Sequence, residues 1–286
     1  MSIDVEPLRL KANGFHFDAL SAGSPHDPLV LFLHGFPQFA DSWLPILPGI
    51  AAAGFRAVAV DQRGYSPGAR PPAIEDYAAD LLEADVLGFA DALAAPRFHL
   101  VGHDWGGLVA WRLAARHPQR LASLTVLSTP HWDAFVEAAR TDPDQRAKSR
   151  YILLFRSPDH LAESTLMALD ARLLRAAYQD KLDPARVDEN IRRLSEDNAL
   201  TGALHWYRAI QYGDRIGKVT VPTLYVWGDQ DMALGETAAL ATRAYVDAPY
   251  RFERLPGASH WLVEEGPERV LQLVREHLGE HLSPNR

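Results

Sequence analysis

An aspartate between two apolar segments is the residue of this chain that says most about chemistry. Asp104 is the central residue of the stretch Gly-His-Asp-Trp-Gly-Gly at positions 102–107. The flanking apolar residues predict a strand, a tight glycine turn and a helix, which is the frame of the G-x-S-x-G nucleophile elbow. In that frame a strained turn places one side chain above the sheet. A carboxylate there attacks saturated carbon and forms an ester that water can break, whereas a serine would form a stable ether.

A histidine and an aspartate later in the chain are candidates for the base and acid that such a nucleophile needs. His260 comes third in chain order, after nucleophile and acid, and would act as the general base that activates water. A carboxylate at the end of an earlier strand would fix its tautomer, and both Asp229 and Asp231 lie there. The Gly-x-x-Asp spacing favours Asp231, because Asp229 is better suited to forming the turn. His103 is expected to pack within the elbow.

The segment His-Gly-Phe-Pro at positions 34–37 follows the continuous apolar run Leu29–Leu33, which predicts a buried strand. The backbone amide of Phe36 can pair with that of Trp105 to form an oxyanion hole. Taken alone, the segment is equally compatible with a simple turn at the end of a strand.

Composition limits the classes of protein that these residues can belong to. The chain has 286 residues, of which 47% are apolar and 23% charged, and its net charge is −8. These values predict an ordered globular protein and argue against a surface for nucleic acid or anionic membranes. The absence of cysteine excludes disulfides and thiolate chemistry. No secretory signal and no apolar run of membrane-spanning length is visible, so we expect a cytoplasmic protein.

Strand patterns alternate with helical patterns along most of the chain, which predicts a mostly parallel sheet covered by helices on both faces. A short hairpin over residues 8–17 opens the chain, and an amphipathic helix that begins at Pro267 closes it. The predicted strands after the hairpin span Leu29–Leu33, 57–60, 98–101, Leu121–Leu127, 222–227 and Tyr250–Leu255.

The pattern changes after Pro130 to one that is mostly helical. We therefore predict a core made of residues 1–130 and 218–286, and an inserted helical cap over residues 131–217, with its clearest helices at 161–175 and Pro184–Leu194. Two tyrosines of this insertion, Tyr151 and Tyr207, have spacings that are typical of core residues. They are nevertheless candidate proton donors, because a cap would cover the nucleophile and a leaving oxygen there would need a proton.

Taken together, these motifs resemble the α/β-hydrolase fold family and, within it, the epoxide hydrolases with an aspartate nucleophile. The resemblance rests on the stretches at 34–37, 61–66 and 102–107, the Gly-x-x-Asp acid and the late histidine. It implies an eight-stranded, mostly parallel sheet with an inserted helical cap. It also implies that Asp104 is the nucleophile and that Asp231 and His260 are its partners. Tyr151 and Tyr207 would bind the epoxide oxygen.

The activity that this resemblance implies is hydrolysis of an epoxide to a vicinal diol through a covalent ester, with no metal or organic cofactor. The expected partner is a small lipophilic epoxide, with no nucleic acid and no membrane, and the chain is expected to be a monomer or a homodimer. Apolar residues of the core and cap are expected to surround the substrate. The candidates for this pocket are His34, Phe36, Pro37, Trp105, Leu153, Leu154, Trp206 and Trp261.

Two other functions stay open. A dehalogenase of the same superfamily uses the same aspartate and histidine, and Trp105 would donate its indole N–H to the halide. Haloalkane dehalogenases commonly carry asparagine where this chain has Phe36, and fluoroacetate dehalogenases carry arginine where it has Trp105. A non-catalytic binding protein of the same fold is the other alternative. A serine esterase is ruled out by Asp104.

Overall fold

The computed structural model describes residues 3–281, and one sheet of eight strands organises this part of the chain. The spatial order is β1-β2-β4-β3-β5-β6-β7-β8. Strand β2 is antiparallel to both of its neighbours and the other pairs are parallel. The strands are β1 (Glu6–Ala12), β2 (Phe15–Ala22), β3 (Leu29–Leu33), β4 (Arg56–Val60), β5 (Phe98–His103), β6 (Leu121–Leu127), β7 (Thr223–Gly228) and β8 (Tyr250–Leu255).

Helices cover both faces of the sheet. They are α1 (Leu47–Ala52), α2 (Ala79–Ala92), α3 (Trp105–Arg116), α4 (Trp132–Thr141), α5 (Pro143–Lys148), α6 (Tyr151–Phe155), α7 (Leu161–Ala177), α8 (Pro184–Leu194), α9 (Ala199–Ala209), α10 (Glu236–Ala241), α11 (Leu262–Glu265) and α12 (Pro267–Glu280). None of those between residues 3 and 281 is long and apolar enough to cross a membrane.

The alternation of side chains along β3 shows how the two faces are filled. Leu31 and Leu33 belong to the apolar cluster that contains residues of α2 and α3, whereas Val30 and Phe32 belong to the cluster formed with α1 and α12. Every residue of β3 is buried, because a parallel strand in the middle of a sheet is covered on both sides. This is why the strand appears in the sequence as an uninterrupted apolar run.

Helices α4 to α9 lie between β6 and β7 in the chain, and α8 attaches them firmly to the core. Arg193 of α8 forms a salt bridge with Asp61, and its guanidinium lies 3.7 Å from the centre of the Phe39 ring. Arg186, two turns earlier on the same helix, pairs with Asp41. We call these two ion pairs the α8 clamp.

The expected continuous helix over residues 161–175 is interrupted in the structure. Backbone torsions leave the helical region at Ala168, and residues 169–171 have φ angles between 53° and 57°. Each L-residue in this left-handed region costs about 1–2 kcal/mol. The interruption divides α7 into two segments, and Leu166 and Leu173, on either side of it, both contact the same cavity.

Candidate active site

The turn between β5 and α3 holds Asp104 in a strained conformation, with φ of 51° and ψ of −119°. Two glycines make the turn possible. A Cβ atom on Gly106 would lie 2.2 Å from the carbonyl oxygen of Leu33, and one on Gly102 would lie 2.4 Å from the carbonyl oxygen of Gly106. Since Asp104 immediately precedes α3, the positive end of the helix dipole favours its negative charge. The elbow therefore presents an ionised carboxylate at the end of a strand.

His260 links Asp104 to a second carboxylate. Its Nε2 lies 3.5 Å from Oδ2 of Asp104, and its Nδ1 lies 2.8 Å from Oδ2 of Asp231. The other oxygen of Asp231 accepts hydrogen bonds from the amides of Ala233, at 2.8 Å, and Leu234, at 3.0 Å. Asp231 is fully buried, so these bonds fix its orientation and, through it, that of the imidazole.

The neighbouring candidate, Asp229, has a different set of partners. Its Oδ1 accepts the amide of Gly257 at 2.8 Å, and its Oδ2 lies 3.2 Å from Nε of Arg254. It therefore braces the loop that follows β8. His103 is buried, and its Nε2 is hydrogen-bonded to the carbonyl oxygen of His260 at 2.9 Å. It therefore supports the backbone that carries His260.

The charges of the site set the protonation state of His260 and Asp104. Burial lowers the pKa of His260, but the carboxylates of Asp231 and Asp104 outweigh burial and raise it to about 10. Burial raises the pKa of Asp104, whereas His260, His103 and the amide of Phe36 lower it, and the net direction is downward. At neutral pH the resting site therefore holds an imidazolium between two carboxylates.

Two backbone amides are neighbours of Asp104: that of Phe36 lies beside its carboxylate, and that of Trp105 follows it in the chain. The amide of Phe36, in the loop after β3, donates to Oδ1 of Asp104 at 2.8 Å. The amide of Trp105 is the first of α3, so it has no acceptor within the helix. Both amides are suited to stabilising negative charge that develops on an oxygen of Asp104.

Two tyrosines from the helices between β6 and β7 face the same cavity as Asp104. Tyr151 lies at the start of α6 and Tyr207 in α9, and their ring centres are 6.2 Å apart. Tyr207 packs edge-to-face against Trp105, with 4.7 Å between ring centres. Burial, together with the charge of Asp104, raises the pKa of both phenols well above their usual range. Both phenols are therefore protonated at neutral pH and can donate to an oxygen.

A cavity of about 370 Å³ contains these groups and is lined mostly by apolar side chains. Two of the lining residues are partly exposed: Leu173 of α7 is 45% exposed and Met232, in the loop after β7, is 42% exposed. We infer that the cavity opens to solvent between these two elements. The remaining lining residues are Phe36, Pro37, Leu154, Phe155, Leu166, Ala176, Ala177, Ala233 and Trp261, besides Asp104, Tyr151, Tyr207 and His260.

Comparison with known proteins assigns this arrangement to a family. A family model for the alpha/beta hydrolase fold matches residues 28–267. The chain belongs to the α/β-hydrolase family. It is 34% identical to Epoxide hydrolase 3 of Xenopus tropicalis, over 98% of this chain and 79% of that relative. It is 33% identical to Epoxide hydrolase A of Mycobacterium tuberculosis (strain ATCC 25618 / H37Rv), over 93% of this chain and 95% of that relative.

A solved structure described as one of the novel epoxide hydrolases in metagenomes from hot environments matches with a TM-score of 0.85 and 30% identity. The match covers 96% of this chain and 98% of that one. The predicted fold is therefore confirmed, as are the predicted resemblance to the epoxide hydrolases of this family and the prediction that the chain is a hydrolase.

The structure corrects part of the expected pocket of this α/β-hydrolase. His34 does not line the cavity: its Nδ1 is 3.0 Å from the carbonyl oxygen of Gly35, and its Nε2 accepts the amide of Gln62 at 3.2 Å. Burial lowers the pKa of His34 to about 4, so it is neutral and supports the loop that carries Phe36. Trp206 is also outside the lining, because it is buried and donates its indole N–H to the carbonyl oxygen of Arg63 at 2.8 Å.

Two further pocket candidates differ in position from the expectation. Leu153 is 77% exposed on the outer face of α6, although its neighbour Leu154 lines the cavity. The side chain of Trp105 lines a smaller cavity that adjoins the first and shares Asp104, Tyr151 and Tyr207 with it. The lining residues of α7 and of the loop after Asp231 were not anticipated. The periodicity of α7 was visible, but nothing in the sequence indicates which of its faces meets the core.

Proposed function

We propose that this α/β-hydrolase opens an epoxide to a vicinal diol through an ester on Asp104. The observation that carries the proposal is the placement of an ionised carboxylate and two protonated phenols around one apolar cavity. A strained ether oxygen needs a proton as its bond to carbon breaks, and Tyr151 and Tyr207 are the donors that face Asp104. The names of the relatives support the same reaction.

In the first proposed step, an oxygen of Asp104 attacks one ring carbon of the epoxide. The carbon–oxygen bond of the ring breaks, and the electron pair stays on the ring oxygen, which takes a proton from Tyr207 or Tyr151. The product of this step is an ester between Asp104 and a β-hydroxyalkyl group. Holding nucleophile and acids around one small cavity lowers the barrier by proximity and orientation.

Ester formation then changes His260. An esterified Asp104 has no charge, so one of the two carboxylates that raise the pKa of His260 is lost. His260 can then give its proton to the tyrosinate that the first step produced, and becomes a neutral base. It takes a proton from water, and the hydroxide attacks the carbonyl carbon of the ester. The amides of Phe36 and Trp105 stabilise the resulting oxyanion. When it collapses, the bond between the carbonyl carbon and the diol oxygen breaks, that oxygen takes the proton of the new carboxyl group, and Asp104 is restored as a carboxylate.

The cap and the substrate class belong to the same proposal. Residues 131–217 would act as a cap that excludes water during the first step, since Tyr151, Tyr207 and most of the apolar lining come from this segment. The largely apolar lining favours a lipophilic epoxide. The two steps use only side chains, backbone amides and water.

Single-turnover measurements in oxygen-18 water test the ester route. With enzyme in excess over racemic styrene oxide, we expect an unlabelled diol, because its new oxygen comes from Asp104, and we expect the label in the Asp104 carboxylate. A chloroalkane panel measured alongside tests the dehalogenase alternative. Labelled diol in the first turnover would contradict the ester, and halide release without diol formation would contradict epoxide hydrolysis.

A further inference from the structure

The carboxylate of Glu264 takes no part in the two steps above, yet it connects two loops of the site. Glu264 lies on α11, four residues after His260, and accepts a hydrogen bond from Nε2 of Gln38. Gln38 is almost fully buried, and it comes two residues after Phe36, whose amide holds Asp104. This bridge joins the loop of the general base to the loop of the oxyanion donor.

Charged groups from the core and the cap act on this carboxylate. Burial raises the pKa of Glu264 to about 7, while the hydrogen bond from Gln38 and the positive charges of His260 and Arg186 act in the opposite direction. Tyr178 of the cap, whose hydroxyl donates to the carbonyl oxygen of Pro37 at 2.8 Å, has its pKa raised mainly by burial and further by the charge of Glu264. Because the charge of His260 lowers the pKa of Glu264, the two side chains interact electrostatically.

We propose that Glu264 is a positioning residue for hydrolysis of the ester, a role that rests on the proposed function. Once Asp104 is esterified, Asp231 is the carboxylate in direct contact with His260 and Glu264 is a further negative charge nearby. When His260 takes a proton from water, Glu264 stabilises the imidazolium that forms. Through Gln38 it also keeps the oxyanion loop in place. Attack on the epoxide does not need this charge, because His260 is already protonated at that stage.

Replacing Glu264 with Gln separates charge from shape, since the new amide oxygen can still accept the hydrogen bond from Gln38. Ester and diol are followed by rapid acid quench and mass spectrometry, with enzyme in excess over styrene oxide. For Glu264→Gln we expect ester formation close to the wild-type rate and ester hydrolysis slower by about fivefold. In the wild type the pH profile of ester hydrolysis should contain a step near pH 7, where Glu264 loses its proton, besides the step that His260 itself produces, and only the step near pH 7 should be absent in the variant.

Two further variants control for structure and for charge. The double variant Gln38→Glu with Glu264→Gln exchanges the carboxylate and the amide across the same hydrogen bond, and we expect it to recover most of the hydrolysis rate. Glu268→Gln removes an exposed carboxylate from the first turn of α12 and should change neither rate.

The outcomes separate this role from the proposed function. A wild-type enzyme that never forms an ester overturns the proposed function and this role with it. If the wild type forms the ester but Glu264→Gln hydrolyses it at the wild-type rate with the same pH profile, only the role of Glu264 is overturned. Equal slowing of both steps, with no recovery in the exchanged double variant, would make Glu264 a structural residue and also overturn the role.

Discussion

At the scale of single residues, the charge of Asp104 determines the state of His260. The imidazole lies 2.8 Å from Asp231 and 3.5 Å from Asp104, and both carboxylates favour its protonated form. An imidazolium cannot accept a proton from water, so the resting site is not yet ready for hydrolysis. In the proposed mechanism it becomes ready only when ester formation has neutralised Asp104, and this would impose the order of the two steps.

Asp104→Asn imitates the uncharged ester, and we expect it to lower the pKa of His260 from about 10 by at least about one unit, because an adjacent opposite charge typically contributes that much. The shift is measured by NMR titration of protein labelled in its histidine side chains. Asp229→Asn is the matched control, since that carboxylate binds Gly257 and Arg254 instead. A pKa of His260 that is the same in wild type and Asp104→Asn would mean that Asp104 does not control the base.

At the scale of elements, the strands could be predicted from the sequence and with them most of the site. Leu29–Leu33 is apolar throughout because it is buried on both faces, and Asp104, Asp231 and His260 each follow a strand of the parallel sheet. The carboxyl ends of parallel strands meet at one edge of the sheet, so this topology predicts that the three residues lie near one another.

The cavity lining could not be predicted in the same way. Leu153 and Leu154 are neighbours on α6, yet one is exposed and the other lines the cavity. Which of the two faces inward depends on how α6 rotates against the core, and a helix of five residues has too few turns to show this in its pattern. The bridge between Gln38 and Glu264 joins positions 226 residues apart, and no local pattern reports such a contact.

The α8 clamp gives a prediction about how helices α4 to α9 are attached to the sheet. Arg193→Ala leaves the carboxylate of Asp61, whose side chain is 7% exposed, without its ionic partner, and we expect the free energy of unfolding to fall by about 3 kcal/mol. Urea titration followed by circular dichroism measures this change. Arg192→Ala removes the neighbouring arginine, which is 60% exposed and pairs with Glu189, and should change the free energy of unfolding far less. Equal losses of stability in the two variants would show that the clamp does not attach these helices.

At the scale of the whole molecule, buried histidines should determine stability in acid. The pKa of five of them is lowered to about 4, with burial as the main cause in each. The five are His34, His99, His103, His131 and His277. In the unfolded chain they titrate near the ordinary value of about 6.5, so between pH 6.5 and 4 the unfolded state binds protons that the folded state cannot. The five histidines therefore leave stability unchanged above this window and decrease it as the pH falls through the window.

Glu264 and His260 also change the pH dependence of stability, but they do not reverse the loss of stability in acid. Glu264, with its pKa raised to about 7, binds a proton in the folded state over the same window and opposes the loss by one proton. His260 contributes stability that is fully present below pH 6.5 and is lost as the pH rises towards 10. Together these shifts place the greatest stability near neutral pH, with a steep decrease on the acidic side.

We therefore expect the free energy of unfolding to decrease by about 1.4 kcal/mol per pH unit for each histidine that stays neutral in the folded state, as measured by urea titration between pH 6.5 and 4.5. His277→Gln tests the origin of this slope, because a glutamine amide can still donate to the carbonyl oxygen of Leu124, as Nε2 of His277 does at 3.1 Å, but does not titrate. The variant should lose some stability at pH 7 from imperfect packing, yet its acid slope should be shallower by about one proton. If the slope of the variant equals that of the wild type, His277 is already protonated in the folded state, and burial does not keep it neutral.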